Sequence, residues 1–515
     1  MTTHGITRET GHNAGYAWAH EQYEAIVKQL KSEESQHMRH AEVEKLLERE
    51  GREMLRRMLQ AHIDERSQRS TAEEVVDAAG VAHPHKRIHT RTLETVFGEV
   101  EIRREGHGGI GLTSLHPLDG ELNLPRERYS HGVRERVAEA ASKESFDEVV
   151  EDIDKYSGAH VPKRQAEALT LRAAQDFDAF YEQQQKQAKV DEKKQISGAV
   201  LVVTTDGKGV PMRKEDLRPQ TQAAAAKQTP HLKHRLSKGE KPHRKRMSTV
   251  AAVYTIEPWA RQPEQIVGEL HSNKRAAATP SAPPRPRPQN KRVWASLSHT
   301  PQEVIEQAFS EADARDPERT KRWVALVDGN LTQLSLLQAT AKKLGVALVI
   351  ILDLIHVLEY LWSAAWALFK EADPAAEVWV SQHLHTILSG HSSTVAAGLR
   401  RSATLRQLSP KQREPIDRCA DYLLKYRDFL HYDTYLAAGF PIATGVIEGA
   451  CRHLVKDRME LTGARWTTVG AEAVLRLRAL RASGDFDRYW SFHLDQELQR
   501  LHTSRYANRK IPELA

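Results

Sequence analysis

Two short apolar runs in the sequence end in the same dipeptide. LVVTTDGKGV covers residues 201–210 and RWVALVDGNL covers residues 322–331, so both Asp206 and Asp328 follow Val- and Leu-rich runs and precede a glycine. Asp-Gly is common in turns, and a turn would explain either dipeptide alone. If the two runs are neighbouring strands of one sheet, however, both carboxylates emerge at one edge, where they could share a divalent cation.

A third acidic residue with the same potential lies near the other end of the chain. Glu448 stands in GVIEGACRHLVKDRMELTGARW, residues 445–466, at the predicted start of a helix. Three convergent carboxylates bind Mg²⁺ or Mn²⁺ through oxygen, and two such ions about 3.5–4 Å apart promote phosphoryl displacement. Two alternatives stay open. Glu448 could pair with Arg452 one turn on, and Asp353 could replace Asp328 as the second carboxylate.

The elements that must position these carboxylates follow a mixed α/β order of three strands, helix, strand, helix and strand. The predicted strands are GAVLVVTTDG, RMSTVAAVYTIEP, KRVWASL, RWVALVDG and VALVIILD. Two inserts interrupt this order: residues 211–246 are densely basic, and residues 271–293 are rich in proline with interspersed Arg and Lys. The basic insert is typical of a solvated loop, and beside a carboxylate site it also suits phosphate neutralisation.

The sequence before the first of these strands is mainly helical in pattern. From residue 17 to residue 72, charged segments carry an apolar stripe formed by Leu46, Leu47, Met54, Leu55, Met58 and Leu59. Such a stripe predicts packing in a helical bundle or a dimer. Around Gly98, the apolar residues Val96, Val100 and Ile102 alternate with polar ones, which predicts a pair of strands.

SFDEVVEDIDKYSGAHVPKRQAEALTLRAAQ, residues 145–175, predicts a helix, a glycine-containing turn and a second helix. Pro162 suits the first position of that second helix, and Lys163, Arg164 and Gln165 occupy its first turn. A helix-turn-helix presents residues to DNA at this place, although a plain helical hairpin has the same pattern. The HPHKRIH stretch at residues 83–89 suggests a metal site less than it suggests a surface loop.

Composition limits the class of protein. The chain has 515 residues, enough for several domains, and a net charge of +6 with basic residues clustered, which suits a polyanionic partner. Its two cysteines exclude a disulfide framework and indicate a reducing compartment. The apolar segment at residues 346–369 contains Asp353, and a central Asp costs about 2.5–3.5 kcal/mol in a membrane, so a buried strand and helix are expected there. We therefore expect a soluble cytoplasmic, nucleoid-associated protein.

Four segments occur in an order that resembles the ISKra family of insertion-sequence transposases, which are related to Mutator-like DDE transposases. They are TTDGKGV, VALVDGN, ILDLIHVLEYLW and GVIEGACRHLVKDRMELTGARW, and the resemblance extends from LDGELNLPRERYS to LRALRASGDFDRYW. It implies an RNase H-like core interrupted by an all-helical insertion and preceded by a mainly helical DNA-binding region. Asp206, Asp328 and Glu448 would then be the catalytic, metal-binding triad for two Mg²⁺ or Mn²⁺ ions, with Asp353 and His356 supporting them from close by.

The resemblance also implies a function. The protein would bind the terminal inverted repeats of its own element, cleave the DNA and join the 3′-hydroxyl to target DNA. Because two element ends must be held together, a homo-oligomer is expected. A metal-dependent nuclease of the same fold and a non-catalytic DNA-binding regulator stay open as alternatives. The residues expected to contact DNA are Lys163, Arg164, Gln165, Arg244, Lys245, Arg246, Arg452, Lys456, Arg458, Arg465 and Trp466.

The corresponding domain division has six parts. They are an N-terminal helical region (1–90), a strand pair with a helix-turn-helix-like region (91–195), the first part of the catalytic core (196–354), the helical insertion (355–440), the second part of the core with the Glu-bearing helix (441–482) and a C-terminal tail (483–515).

Overall fold

The computed structural model describes residues 15–71, 74–190, 197–227, 243–271 and 285–515. The chain divides into two compact units. The first unit is built from residues 1–177 together with 485–515, and the second from residues 178–484. The predicted C-terminal tail therefore belongs to the same unit as the N-terminal regions.

The first unit combines helices with one β-hairpin. Its elements are helices α1 to α3 (Ala17–Leu30, Glu33–Gln36 and His40–Arg66), strands β1 and β2 (His85–Thr95 and Gly98–Gly108), and helices α4 to α7 (Pro117–Glu121, His131–Ala141, Phe146–Tyr156 and Lys163–Ala173). The helical pattern predicted up to residue 72 is confirmed as far as Arg66. Of the predicted apolar stripe, Leu46 is buried, but Leu47, Leu55 and Met58 are 41%, 41% and 43% exposed.

Strands β1 and β2 pair antiparallel along their whole length, from His85 opposite Gly108 to the turn before Gly98. Val100 and Ile102 point inward from β2 and are buried, as the alternating pattern predicted. The interpretation of residues 83–89 as a surface loop was wrong, because β1 begins at His85. Pairing with β2 holds this polar sequence in an extended conformation. The domain boundary predicted at residue 90 therefore falls inside β1.

Helices α5, α6 and α7 pack around one apolar cluster, which includes Val133, Val137, Val149, Ile153, Val161, Ala166 and Leu169. A capping box begins α6: the Ser145 hydroxyl accepts from the Glu148 N–H at 3.3 Å, and the Glu148 carboxylate accepts from the Ser145 N–H at 2.8 Å. Pro162 directly precedes α7. The predicted helix, turn and helix are therefore present, and α5 supplies a third helix to their core.

The second unit begins with a mixed α/β segment. Its elements are α8 (Phe177–Val190), β3 (Val200–Pro211), α9 (Pro219–Ala226), β4 (Lys245–Ile256), α10 (Pro263–His271), β5 (Gln289–Ser296), α11 (Pro301–Arg315), β6 (Arg322–Val327), α12 (Leu331–Leu344) and β7 (Leu348–Leu352). The predicted succession of five strands and two helices is confirmed, with α9 and α10 as additions. Within the two predicted inserts, residues 228–242 and 272–284 lie outside the described residues.

The five strands form one mixed sheet in the order β5-β4-β3-β6-β7. β3 pairs antiparallel with β4, and β4 with β5, whereas β6 runs parallel to both β3 and β7. Residues 323–327 of β6 are all buried, as expected for a central parallel strand covered on both faces. The first and fourth predicted strands are thus neighbours, the arrangement that a shared carboxylate edge requires.

The chain after β7 is helical, as predicted for residues 356–438. Helices α13 to α17 span Leu354–Ala365, Pro374–Leu388, Ser392–Leu405, Pro410–Lys425 and Tyr432–Ala437. They are followed by α18 (Gly445–Ala450), a π-helical turn (Cys451–Lys456), α19 (Asp457–Met459) and α20 (Thr468–Ser483). The apolar segment at residues 346–369 contains β7 and α13, and within the described ranges no helix is long and apolar enough to cross a membrane.

A buried ionic network ties the C-terminal helix Phe486–Leu501 to α5 within the first unit. Arg134 is fully buried, and its Nη1 donates to Glu497 Oε2 at 2.9 Å. Its Nη2 lies 3.2 Å from His493 Nε2, and His493 Nδ1 lies 2.6 Å from Asp176 Oδ2. Burial alone would raise the pKa of Glu497, but the charge of Arg134 and its hydrogen bond lower it. The Glu497 carboxylate therefore depends on the Arg134 guanidinium to stay ionised in its buried position.

We expect Arg134→Met to destabilise the first unit by about 3 kcal/mol, because breaking a buried ion pair leaves a desolvated charge without its main partner. The measurement is urea unfolding with hydrogen exchange of peptides from α5 and the C-terminal helix. Arg136→Met is the matched control, since Arg136 is exposed on the same helix, and a surface substitution changes stability by about 0.5 kcal/mol or less. Equal losses in the two variants would contradict the role of the network.

Candidate active site

Register places three aspartates at one level of the sheet edge. The parallel pairing of β3 with β6 has Thr204 opposite Leu326, so Asp206 and Asp328 each lie two residues beyond the last pair. The pairing of β6 with β7 ends with Val327 opposite Leu352, one residue before Asp328 and Asp353. Neighbouring chain segments therefore bring these three carboxylates to the same edge.

Asp206 does not end its strand, which corrects the sequence prediction. β3 continues to Pro211, and Asp206 pairs with Val250 in the antiparallel ladder to β4. The pairing of β3 with β4 continues beyond the last pair between β3 and β6. It therefore keeps the Asp-Gly dipeptide in an extended conformation and prevents a turn there. Asp206 Oδ1 accepts a hydrogen bond from the Gly207 N–H at 2.5 Å, and its other oxygen is available to a different element.

Asp328 ends its strand, as predicted, and begins a tight passage into α12. Its Oδ1 accepts from the Asn330 N–H at 2.8 Å, and the Asn330 side chain accepts from the Thr332 N–H at 3.0 Å to cap the helix. Gly329 has φ +96°, and a Cβ there would lie 3.2 Å from the Tyr426 ring, so only glycine suits this position. Asp328 is thus both a turn residue and an edge carboxylate.

Tyrosines of the helical insertion hold this edge, and sequence reasoning missed them. The Tyr422 hydroxyl donates to the Asp328 carbonyl at 3.3 Å, and the Tyr426 hydroxyl donates to the Gly329 carbonyl. The Tyr432 hydroxyl donates to the Leu352 carbonyl at 2.7 Å. The insertion therefore docks on the strand ends through hydroxyl-to-carbonyl hydrogen bonds.

Asp353 is fully buried and caps α13. Its Oδ1 accepts from the Thr444 N–H at 2.8 Å, and its Oδ2 lies 2.8 Å from His356 Nδ1. These contacts fit the predicted supporting role of the two residues better than the alternative of Asp353 as a metal ligand. The hydrogen bond to Asp353 raises the pKa of His356 to about 9, with further increases from the charges of Asp353 and Glu359 and an opposing decrease from burial.

Glu448 lies on α18, which contacts β3. Burial raises the pKa of its carboxyl group, the charge of Asp353 raises it further, and the charge of His356 lowers it. Electrostatic coupling to the Asp353–His356 pair thus links Glu448 to the sheet edge. The alternative pairing with Arg452 is wrong, since Arg452 Nε lies 3.9 Å from Asp457 Oδ1 instead.

Sequence reasoning also missed Cys451. It is 5% exposed, and its Sγ donates to Asp206 Oδ2 at 3.2 Å. Burial, and then the charge of Asp206, raise the pKa of the Cys451 thiol well above its ordinary value, so the sulfur keeps its proton. The only signal in the sequence is a spacing of three residues from Glu448, which places both on one helix face.

The predicted DNA-contacting residues of the second unit separate into two groups. Arg458 is 2% exposed and stacks on the buried Trp466 ring, 4.9 Å from its centroid, so the prediction that these two contact DNA directly is wrong for this conformation. Arg246 is partly buried and donates to the Leu297 carbonyl at 3.0 Å. The others are exposed, and they are Arg244, Lys245, Arg452, Lys456 and Arg465.

The helix that carries Glu448 does not continue as a regular α-helix. The prediction aligned Glu448, Arg452 and Lys456 on one face by a four-residue repeat, but the backbone from Cys451 to Lys456 is π-helical. A π turn closes i to i+5 hydrogen bonds and so rotates the following residues relative to an α-helix. Arg452 and Lys456 are nevertheless both exposed.

In the first unit, Lys163, Arg164 and Gln165 are all exposed at the beginning of α7. Lys163 Nζ donates to both oxygens of Asp147 at 2.7 Å. Arg164 and Gln165 extend from the same turn. The exposure that a DNA-contacting turn requires is present.

The oxygen donors of the acidic residues suit a hard divalent cation, but the positions of their side chains in this structure do not. Asp206, Asp328 and Glu448 offer only oxygen donors, which Mg²⁺ and Mn²⁺ prefer. Across the described ranges, no three His, Cys, Asp or Glu side chains stand close enough to hold a metal ion. The oxygens of Asp206 and Asp328 accept hydrogen bonds from Cys451 and from the backbone instead. The three carboxylates do not converge on one point in this arrangement.

Comparison with known proteins gives one match. The model of an uncharacterised protein family (UPF0236) matches residues 33–223. This range covers most of the first unit and reaches β3 with Asp206, but it ends before Asp328 and Glu448. A comparison with curated proteins found no match.

We expect His356 to make stability depend on pH. Its folded pKa of about 9 exceeds the unfolded value of about 6.5, so its contribution is complete below pH about 6.5 and is lost as pH rises through about 9. Urea unfolding of the wild type should therefore show a steeper decline of stability over this range than His356→Gln. Parallel pH profiles of the two proteins would argue against the Asp353–His356 interaction.

Proposed function

We propose that this protein is a DDE transposase of a prokaryotic insertion sequence, with an RNase H-like core in the second unit. The observation that carries the proposal is the register of Asp206 and Asp328 on adjacent parallel strands, with the Glu448 helix packed on β3. A carboxylate edge of this kind, in a core interrupted by a helical insertion, is the arrangement that the family resemblance implies. The type of reaction is inferred from the family resemblance, and the register of the two aspartates supports that inference.

In the proposed site, Asp206, Asp328 and Glu448 would hold two Mg²⁺ or Mn²⁺ ions. When bound, such ions promote formation of the attacking oxygen and stabilise the leaving oxygen. Asp353 fixes the orientation of His356, and the cationic His356 offsets part of the negative charge near Glu448. The tyrosine hydroxyls hold the backbone at Asp328, so that its carboxylate starts from a fixed position.

The chemistry would occur in two displacements at phosphorus. In the first, water forms a P–O bond at an element end, and the 3′-oxygen leaves and takes up a proton. In the second, that 3′-hydroxyl attacks a target phosphate, a new P–O bond joins element to target, and the target's own 3′-oxygen leaves. No covalent enzyme intermediate is required.

DNA would be bound by exposed residues of both units. The first turn of α7 presents Lys163, Arg164 and Gln165, in the place where a helix-turn-helix contacts base edges and phosphates. In the second unit, exposed Arg452, Lys456 and Arg465 lie on or after the Glu448 helix, where they could neutralise the phosphate backbone. Holding two element ends together would require a homo-oligomer acting in the cytoplasm.

We expect Asp206→Ala, Asp328→Ala and Glu448→Gln each to reduce strand joining by about 100-fold or more, because each removes a ligand that would hold the divalent ions, whose charge stabilises the transition state. The assay uses DNA carrying the ends of the element and a target plasmid, with Mg²⁺ or Mn²⁺. Glu414→Gln is the control, since Glu414 is a surface carboxylate of the helical insertion paired with Arg418. Cleavage without joining would indicate a nuclease, and end binding with neither activity would indicate a regulator.

We expect Arg164→Ala and Gln165→Ala to weaken binding to element ends by about tenfold, the cost of one lost base or phosphate contact. Fluorescence anisotropy at two salt concentrations separates the cases, because loss of a phosphate contact lowers the salt dependence and loss of a base contact lowers sequence preference. Lys143→Ala is the control, because Lys143 lies at the end of α5 and pairs with Glu139. Unchanged binding in both α7 variants would rule out this helix as the contact.

A further inference from the structure

Asp206 is held from two sides. Its Oδ1 accepts from the Gly207 N–H at 2.5 Å, and its Oδ2 accepts from the Cys451 thiol at 3.2 Å. The first contact belongs to the same strand, whereas the second comes from the helix that carries Glu448. The Cys451–Asp206 hydrogen bond is therefore a direct side-chain link between two of the three proposed ligand-bearing elements.

Cys451 occupies a fixed place on that helix. It is the first residue of the π-helical turn that follows α18, and the turn contacts β3. Arg478 of α20 donates from Nε to the Leu454 carbonyl at 2.7 Å and from Nη2 to the His453 carbonyl. A charged donor thus satisfies backbone carbonyls within the π turn and anchors the turn to α20. Such turns occur frequently at functional sites.

We propose that Cys451 is a positioning residue for Asp206, one that sets the orientation of its carboxylate for divalent-cation binding. This inference rests on the proposed function, since it assumes that Asp206 is a metal ligand. Carboxylates that bind metals are themselves held by hydrogen bonds, and loss of such a partner typically weakens metal affinity about 10- to 100-fold. A carboxylate has about four lone-pair sites, so Asp206 can accept from the thiol and still bind a cation.

The competing explanation is that Cys451 is a buried thiol that only fills space. Free cysteine is among the most buried residue types and packs like a small apolar side chain. Cys419 provides a matched control, because it is fully buried in α16 of the helical insertion. Among the described hydrogen bonds, none joins the Cys419 thiol to a carboxylate. A space-filling role predicts similar behaviour of the two cysteines, and a positioning role predicts different behaviour.

The experiment measures Mn²⁺ binding to the intact protein by electron paramagnetic resonance, with urea unfolding of each variant as a separate readout. We expect Cys451→Ala and Cys451→Val to raise the Mn²⁺ dissociation constant about tenfold. Cys451→Ser keeps a donor and should stay within about threefold of the wild type, as should Cys419→Ala. Cys451→Val fills the space that the alanine variant leaves empty, so the comparison holds even if the alanine variant folds poorly.

A double-mutant cycle adds a metal-free test. In the presence of a chelator, the effects of Asp206→Ala and Cys451→Val on unfolding should be non-additive, because contacting residues couple. Additive effects, or equal Mn²⁺ affinity in the wild type and Cys451→Val, would overturn the positioning role and leave the proposed function intact. A wild type that binds no Mn²⁺ would overturn the proposed function and, with it, this inference.

Discussion

The parallel pairing of β6 with β3 and β7 is the constraint on which the rest of the second unit depends. Because side chains in a sheet are fixed by register, one pairing decides which residues share an edge. Here it brings Asp206, Asp328 and Asp353 to one level. A slip of one residue between β3 and β6 would shift one of the two candidate ligands along the edge and turn its side chain to the opposite face of the sheet. The pairing register therefore sets the placement of the carboxylates.

The helical insertion lies between the aspartates and Glu448 in sequence. It also provides hydrogen-bond donors for the sheet edge that carries the aspartates. Parallel strands that end at an edge leave carbonyl groups that need donors. Tyr422, Tyr426 and Tyr432 supply them as hydroxyls from α16 and its successor helix. A tyrosine combines a large apolar ring with one donor, so each contact both packs and satisfies a polar group. The position of Asp328 is consequently held by residues about a hundred positions later in the chain.

Much of the fold could be predicted from the sequence because apolar runs and helical periodicity are local signals. They predicted the strand succession, the helical region after His356 and the end of β6 at Asp328. They failed at Asp206, because a ladder to β4 decides whether Asp-Gly turns, and that ladder is formed with residues some 40 positions away. They failed at Arg458, because its burial against the Trp466 ring is a tertiary contact that no local pattern shows. Cys451 was missed because a lone thiol carries no local signal of its partner.

The first unit contains both ends of the chain, and this affects its folding during synthesis. Arg134 lies in the N-terminal part of the chain, but its partners Glu497 and His493 lie on the C-terminal helix. During synthesis from the N-terminus, the whole second unit emerges before those partners do. Until the last helix docks, Arg134 lacks its closest carboxylate partner, Glu497. A chain interrupted within the second unit, after Asp206, would therefore carry this residue without a complete first unit.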